Sequence, residues 1–283
     1  MVAVTAGRWE RAGGALLTVV LVVVTLVPFA DLFLTALHPP GTYPPGLTWP
    51  ADPHWSNFAT AFRSARVDRL LLSSGLVVLG VVPLTLVLAV PAGYALGHLR
   101  FPGHRAVFGL FAVGLVLPQE ALVTPLYHQV RDLGLLNTRS GLVAALVAVH
   151  LPFAVFWLRA HFAGAPPELS DGARLDGAGP WRLFALVHLP LARPAVSSLA
   201  VLLSVWTWNH FLLAIVLVDD PARRTAAGVL GAFQGRWGTD VPLLCAGSLL
   251  VLAPVLLVFA LLHRRLAADV ARTAPGGGGR RSR

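Results

Sequence analysis

The chain has 283 residues, of which 56% are hydrophobic and only 12% charged, and its mean hydropathy is +0.71. These proportions exclude an ordinary soluble domain and place the chain among membrane proteins. The net charge of +9 sits on basic residues scattered between long apolar runs, not gathered on one solvated patch, which argues against a nucleic-acid binder. There is no lysine at all, so a Walker-type phosphate loop, a Schiff-base enzyme and a protein kinase are excluded. A single cysteine, Cys245, excludes an intramolecular disulfide and a multi-cysteine zinc site; within its apolar run it reads as a small buried hydrophobe.

A bilayer core about 30 Å thick takes about 20 mainly apolar helical residues to cross. Unpaired backbone amides are intolerable in lipid, so such runs must be helices. Six segments meet the requirement: Ala15 to Leu37, Leu70 to Leu96, Ala106 to Tyr127, Gly141 to Leu158, Ala195 to Val218 and Leu243 to Leu262. The sequence therefore predicts an all-α, polytopic transmembrane helical bundle. The first run follows Arg8 and Arg11, but its length and the lack of a small-x-small site favour a retained helix over a cleaved signal peptide. The stretch from His38 to Trp55 is too rich in proline and glycine for a long helix and reads as an external loop, with a short interfacial helix expected over Asn57 to Arg69. On the second run Gly93 and Gly97 form a GxxxG spacing, read as ordinary helix packing. Between runs three and four, His128 to Thr138 sets Leu133, Leu135 and Leu136 beside Arg131 and Asp132, the pattern of a segment lying at the membrane surface.

Arginine placement orients these runs, because short cytoplasmic loops carry the excess of positive charge. With the N-terminus inside, fourteen arginines fall on the cytoplasmic side and eight outside, which favours two cytoplasmic termini. Residues 1–14 are then a cytoplasmic N-terminus and residues 266–283 a basic cytoplasmic tail. From Pro275 that tail has four successive glycines, cannot bury a core and reads as disordered.

One loop differs from the rest: PPELSDGARLDGAGPWRLFALVHLPLARP, from Pro166 to Pro194. Pro166 and Pro167 open a short helix, and Glu168 and Asp171 place negative charge at its positive N-terminal end. Gly177 offers a residue that turns the chain where that helix stops. Pro180 suits the first turn of a second short helix bearing Trp181, Leu183, Phe184, Val187 and Leu189, which Pro190 and Pro194 end. The small residues Gly172, Ala173, Gly177 and Ala178 would let a partner surface approach the backbone closely.

This segment resembles the EAA loop of ABC importer permeases, in which an acidic-Ala-Ala triplet precedes Asp-Gly-Ala, then Phe, Leu-Pro and a further Pro. The matching positions are Asp171, Gly172, Ala173, Asp176, Gly177, Ala178, Phe184, Leu189 with Pro190, and Pro194. Asp171 replaces the usual Glu and Gly172 the usual Ala, the latter at up to about 1 kcal/mol of helix propensity. Arg100 to Gly103, Pro118, Pro125 to Tyr127, Leu133 to Thr138, Trp208-Asn209 with Phe211-Leu212, Arg224-Thr225, and Phe233 to Gly235 with Gly238 to Asp240 extend the likeness to the carbohydrate-type permeases related to the maltose system. His210 stands where many such relatives carry an acidic residue.

The resemblance implies a transmembrane permease domain over residues 15–265 with a coupling loop at 166–194. It also implies a second similar permease, two ATPase subunits and an extracytoplasmic solute-binding protein. ATP and magnesium would bind the partner ATPase, leaving this chain without a catalytic site, a cofactor or a metal. Within the apolar runs Glu120, His150, Trp206, Trp208, Asn209 and His210 are the candidates for a solute pathway: intramembrane ionisable groups are expensive and usually face a cavity, while aromatic faces and amides suit sugar rings and hydroxyls. The rival expectation is a transporter or channel driven by an ion gradient, for which inverted repeats or deep ionisable pairs would be the sign.

Overall fold

In the computed structural model the backbone is described for residues 8–221, 223–228, 231, 233–235 and 238–273. The first seven residues and the glycine-rich tail lie outside the described residues. Within them the regular structure is helical apart from one hairpin of two-residue strands, and the chain divides into two compact units: residues 1–67 with 229–253, and residues 68–228 with 254–283.

The first unit begins with α1 (Arg8–Ala36), apolar on every side and with most of its large side chains exposed within the chain, as Leu16 at 66% and Val24 at 64%. A helix that is apolar all round belongs in lipid or against a partner. The following loop holds no long helix, as its prolines require, and is fastened by side chains: Leu47 N–H donates to Asp31 at 2.7 Å, and Asn57 Nδ2 donates to the carbonyls of Ala36 and His38 at 2.9 and 2.7 Å. The interfacial helix, α2, spans Ser56–Ser64, shorter than expected, because Arg66 takes a positive φ of 51° and a new helix begins at Val67. Strands β1 (Gln234–Gly235) and β2 (Gly238–Thr239), which the apolar patterning did not reveal, pair antiparallel; Tyr43 Oη donates to the Thr239 carbonyl at 3.1 Å. The last helix, α11 (Val241–Thr273), starts immediately after Asp240, and Cys245 on it is half-buried.

The second unit is built around α3 (Val67–His98) and α6 (Arg139–Ala163), both long and apolar enough to cross a bilayer. Lipid is as apolar as the helices, so little solvent-driven force brings them together, and close backbone approach supplies the attraction. Gly93 and Gly97 provide it: a Cβ on either would lie 2.7 Å from Leu158 Cβ or 2.8 Å from the Arg159 carbonyl oxygen. The GxxxG spacing is thus helix packing, between α3 and α6 of the same chain. On the other side of α6 is α4 (His104–Val116), held by Gly114 against Pro152 and by the Arg159 guanidinium 3.9 Å above the Phe108 ring.

Two of the expected runs are not continuous helices. The third breaks after Val116: Leu117 and Pro118 are extended, Gln119–Leu122 form a single 3₁₀ turn, and α5 (Val123–Asp132) leaves at 103° to α4. The cause is local, since the residue before a proline is driven out of the α region. The fifth run is α9 (Arg193–Asn209) and α10 (Leu212–Leu217), interrupted at His210, whose ψ of 100° is extended. Asn209 turns its side chain back on the Val205 carbonyl at 2.8 Å, competing with helix continuation.

The expected surface segment is partly helical, as α5, and then forms a tight loop in which Gly134 and Asn137 have positive φ of 69° and 59°. Asn137 organises the end of α10: its N–H donates to the Leu217 carbonyl, and its Oδ1 accepts from the N–H groups of Asp219 and Asp220 at 3.1 and 2.8 Å. Asn137→Ala loses both acceptor contacts and strains the backbone, an expected destabilisation of about 2 kcal/mol. Asn137→Gly recovers the backbone part; thermal unfolding midpoints of the detergent-solubilised variants measure both.

Candidate functional site

Two places in the second unit collect the residues singled out from sequence. The first is the pair of short helices after α6. Helix α7 (Pro167–Leu175) carries Asp171, Gly172 and Ala173, and Asp176 closes it. Its exit is a Schellman turn: the Gly177 N–H donates to the Arg174 carbonyl at 3.0 Å, the Ala178 N–H to that of Ala173 at 2.9 Å, and Gly177 has a φ of 81°. Only a residue without a Cβ takes that conformation freely. Apart from buried Ser170 and partly covered Ala173, α7 faces solvent, with Leu175 90% exposed. The Asp171 to Arg174 ion pair is exposed on both sides and contributes little.

Helix α8 (Pro180–Leu191) follows, and its central turn from Leu183 to His188 is π-helical. Pro190 has no N–H to donate and its ring crowds the carbonyl four residues back, the usual setting for such a turn. The expectation that Pro190 ends this helix is corrected: the chain runs on to Leu191, and the 65° bend to α9 comes at Ala192, just before Pro194.

An aromatic cluster fastens this pair to the long helices. Phe184 is 9% exposed and stands 4.8 Å from Tyr94 of α3, between ring centroids. Tyr94 also meets Phe162 of α6 edge-on at 5.4 Å and His188 of α8 at 5.2 Å. Such contacts contribute about 0.5–1.5 kcal/mol each beyond their burial. Ser170 on α7 completes the joint, its Oγ within 3.3 and 3.0 Å of the Nε2 atoms of His98 and His188. Tyr94, His98, Phe162, Ser170 and His188 were not identified from sequence; Ser170 and His188 lie within the quoted loop, but nothing in a one-dimensional pattern shows that α3 and α6 end beside it.

The second place is a cavity of about 350 Å³ at the break between α9 and α10. His150, Trp206, Asn209 and His210 all line it, together with Gln119, Phe211 and Leu212. The His150 ring lies 6.0 Å from Trp206 and 6.3 Å from His210. Among the described residues, His150 Nε2 and His210 Nδ1 are buried without a hydrogen-bond partner, which leaves two imidazole nitrogens beside the cavity with unmet bonding capacity. Glu120, on the exposed 3₁₀ turn between α4 and α5, does not line the cavity. Trp208 is half-buried on another face of α9 and stays outside it. Gln119, Phe211 and Leu212 were missed as lining residues, because only the two helix breaks bring them to the same void.

Comparison with known proteins gives these two places a context. Residues 89–272 match the family described as "Binding-protein-dependent transport system inner membrane component". The chain is 34% identical over 223 residues to the diacetylchitobiose uptake system permease protein NgcG of Streptomyces coelicolor, covering 77% of this chain and 74% of that protein. It is 31% identical over 265 residues to the trehalose transport system permease protein SugB of Mycobacterium tuberculosis, covering 93% and 97%. Its fold superposes with a TM-score of 0.75 and 21% identity on a chain in the crystal structure of a bacterial ABC transporter involved in the import of alginate, covering 91% of this chain and 98% of that one. These matches support an ATP-driven importer and not the gradient-driven alternative. They make the chain a multi-pass protein of the bacterial inner membrane that works with ATPase and solute-binding partners. The chain belongs to the inner membrane components of binding-protein-dependent transport systems, as a permease subunit of an ABC importer.

Proposed function

We propose that this permease carries a sugar or a related polyol, that the cavity beside His210 is part of its path, and that α7 and α8 are the element through which a partner ATPase drives it. The observation that carries the reading is the lining itself: an indole, two imidazoles and two side-chain amides around about 350 Å³. Aromatic faces pack on the C–H faces of a sugar ring, while the imidazoles and amides exchange hydrogen bonds with its hydroxyls. Two of the relatives, permeases for diacetylchitobiose uptake and for trehalose transport, point to the same class of solute. In this reading both termini are cytoplasmic, a second permease completes the path, and two ATPase subunits hold the ATP and magnesium. Asp171, Gly172, Ala173, Asp176, Gly177, Ala178, Phe184, Pro190 and Pro194 shape the surface that meets one ATPase subunit.

The test is ATP-driven uptake by the reconstituted importer of labelled disaccharides, beginning with trehalose and diacetylchitobiose. Asn209→Ala and His210→Ala each remove one or two hydrogen bonds to the passing solute and are expected to lower uptake by about tenfold. Glu120→Ala lies outside the lining and is expected to be milder. Unchanged uptake for all three, with assembly intact, would remove the cavity from the path.

A further inference from the structure

We infer that His98, Ser170 and His188 form a proton-sensitive fastening that positions α7, so that coupling to the ATPase weakens as the pH on that side of the membrane falls. The proposal rests on the reading of α7 and α8 as the coupling element, and goes beyond it by assigning these three residues a regulatory role.

The two imidazole rings lie 4.3 Å apart between centroids, and one hydroxyl, Ser170 Oγ, is within hydrogen-bond distance of both Nε2 atoms. Ser170 is 3% exposed and His188 1%, so water does not supply missing partners. A hydroxyl has one proton, so it donates to one imidazole and accepts from the other. The remaining ring nitrogens decide which. Among the described residues His188 Nδ1 is buried with no hydrogen-bond partner, and a bare lone pair there costs less than an orphaned N–H. His188 therefore keeps its proton on Nε2 and donates to Ser170, whose hydroxyl donates to His98; His98, half-buried, holds its own proton on Nδ1. The chain of donors is complete with both rings neutral.

A further proton has no good place. On His98 Nε2 it would make both imidazoles donors to the Ser170 oxygen and take away the ring nitrogen to which the buried hydroxyl proton was donated. On His188 Nδ1 it would put an unpaired charge in a buried pocket. The charged and titratable groups around the pair offer no relief: Tyr94 on α3, His161 on α6 and Arg174 on α7. Burial first, and then His98, Arg174 and His161, hold the His188 imidazole below the ordinary histidine range. The docked state thus binds fewer protons than the undocked one. Its stability is fully present above the ordinary value of about 6.5 and is lost as pH falls through that value toward the lowered one. The element released is α7, which the His98 and His188 bonds to Ser170 fasten to α3 and α8.

Hydrogen–deuterium exchange of the full-length chain in lipid nanodiscs, corrected for intrinsic exchange rates, reads the fastening directly. Between about pH 7.5 and 5.5, which brackets histidine titration, protection of residues 167–175 is expected to fall several-fold while that of the buried middle of α6 stays constant. His188→Gln and His98→Gln keep a donor and an acceptor near Ser170 but do not titrate, and each is expected to flatten the response. If His188→Gln fails to fold, His98→Gln, at the less buried position, carries the test. Solute-stimulated ATPase activity of the assembled importer, normalised to unstimulated hydrolysis, should fall over the same interval in the unmodified protein and not in the variants. Protection of 167–175 that ignores pH, or a pH response that survives both substitutions, overturns the fastening. A pH-dependent fastening with pH-independent stimulation supports these three residues and overturns instead the reading of α7 as the coupling element.

Discussion

Gly93→Leu is expected to remove most of the folded chain from the membrane. A Cβ at this position would stand 2.7 Å from Leu158 Cβ and 3.0 Å from the Arg159 backbone nitrogen, so the obstacle includes main chain, which no rotamer change relieves. Forcing atoms into a packed interface costs about 1–3 kcal/mol, and a backbone obstacle sets the cost at the upper end. In lipid the loss is not offset by burying more apolar surface, because the separated helices are already in an apolar medium. Gly75→Leu, on the same helix but with open space around the added atom, is the control and is expected to behave as the unmodified protein. Recovery of monodisperse protein by size-exclusion chromatography compares the two. Equal recovery would mean that the close approach of α3 to α6 does not hold the bundle together.

Gly177→Leu is expected to leave the spans inserted and the permease assembled, yet to uncouple ATP hydrolysis from uptake. Its φ of 81° imposes about 1–2 kcal/mol of strain on a leucine and disfavours the Schellman turn that sets the angle between α7 and α8. Among the described residues nothing lies within 4 Å of the added atom, so the new side chain does not disturb this subunit's packing and instead projects from the surface proposed to meet an ATPase subunit. Gly179→Leu is an informative control: it is equally open but has a φ of −70°, which leucine tolerates. ATPase retention on the purified permease and solute uptake in vesicles should both fall for Gly177→Leu and much less for Gly179→Leu. Unaltered retention and uptake for Gly177→Leu would show that this turn does not transmit the ATPase motion.

Much of this was legible in one dimension, and the reason differs from feature to feature. The positive φ at Gly177 and the stop after Leu175 follow from the residues of the turn itself, a four-residue problem in backbone sterics. The long apolar runs of α1, α3 and α6 are likewise written in composition, since lipid imposes a minimum length and forbids unpaired amides. The breaks at Leu117 and His210 were missed because a span-length hydropathy count averages over the short polar stretches Pro118 to Glu120 and Asn209-His210, and does not weigh the backbone preferences that interrupt the helix.

What the sequence alone determined is the all-helical membrane class, the exclusion of an ATP site built on a lysine, and the geometry of the α7 turn, all of which rest on local chemistry or summed composition. Tertiary structure decided which residues meet. It set His150 and Trp206 beside His210 and left Trp208 and Glu120 outside the cavity lining, because Trp208, two residues on from Trp206, lies on another face of α9 and Glu120 sits on an exposed turn. It also brought His98 from 72 residues away to Ser170, and His188 onto the same hydroxyl. A contact between residues so far apart depends on how α3, α6 and α8 pack in three dimensions, and no local propensity of the chain contains that information.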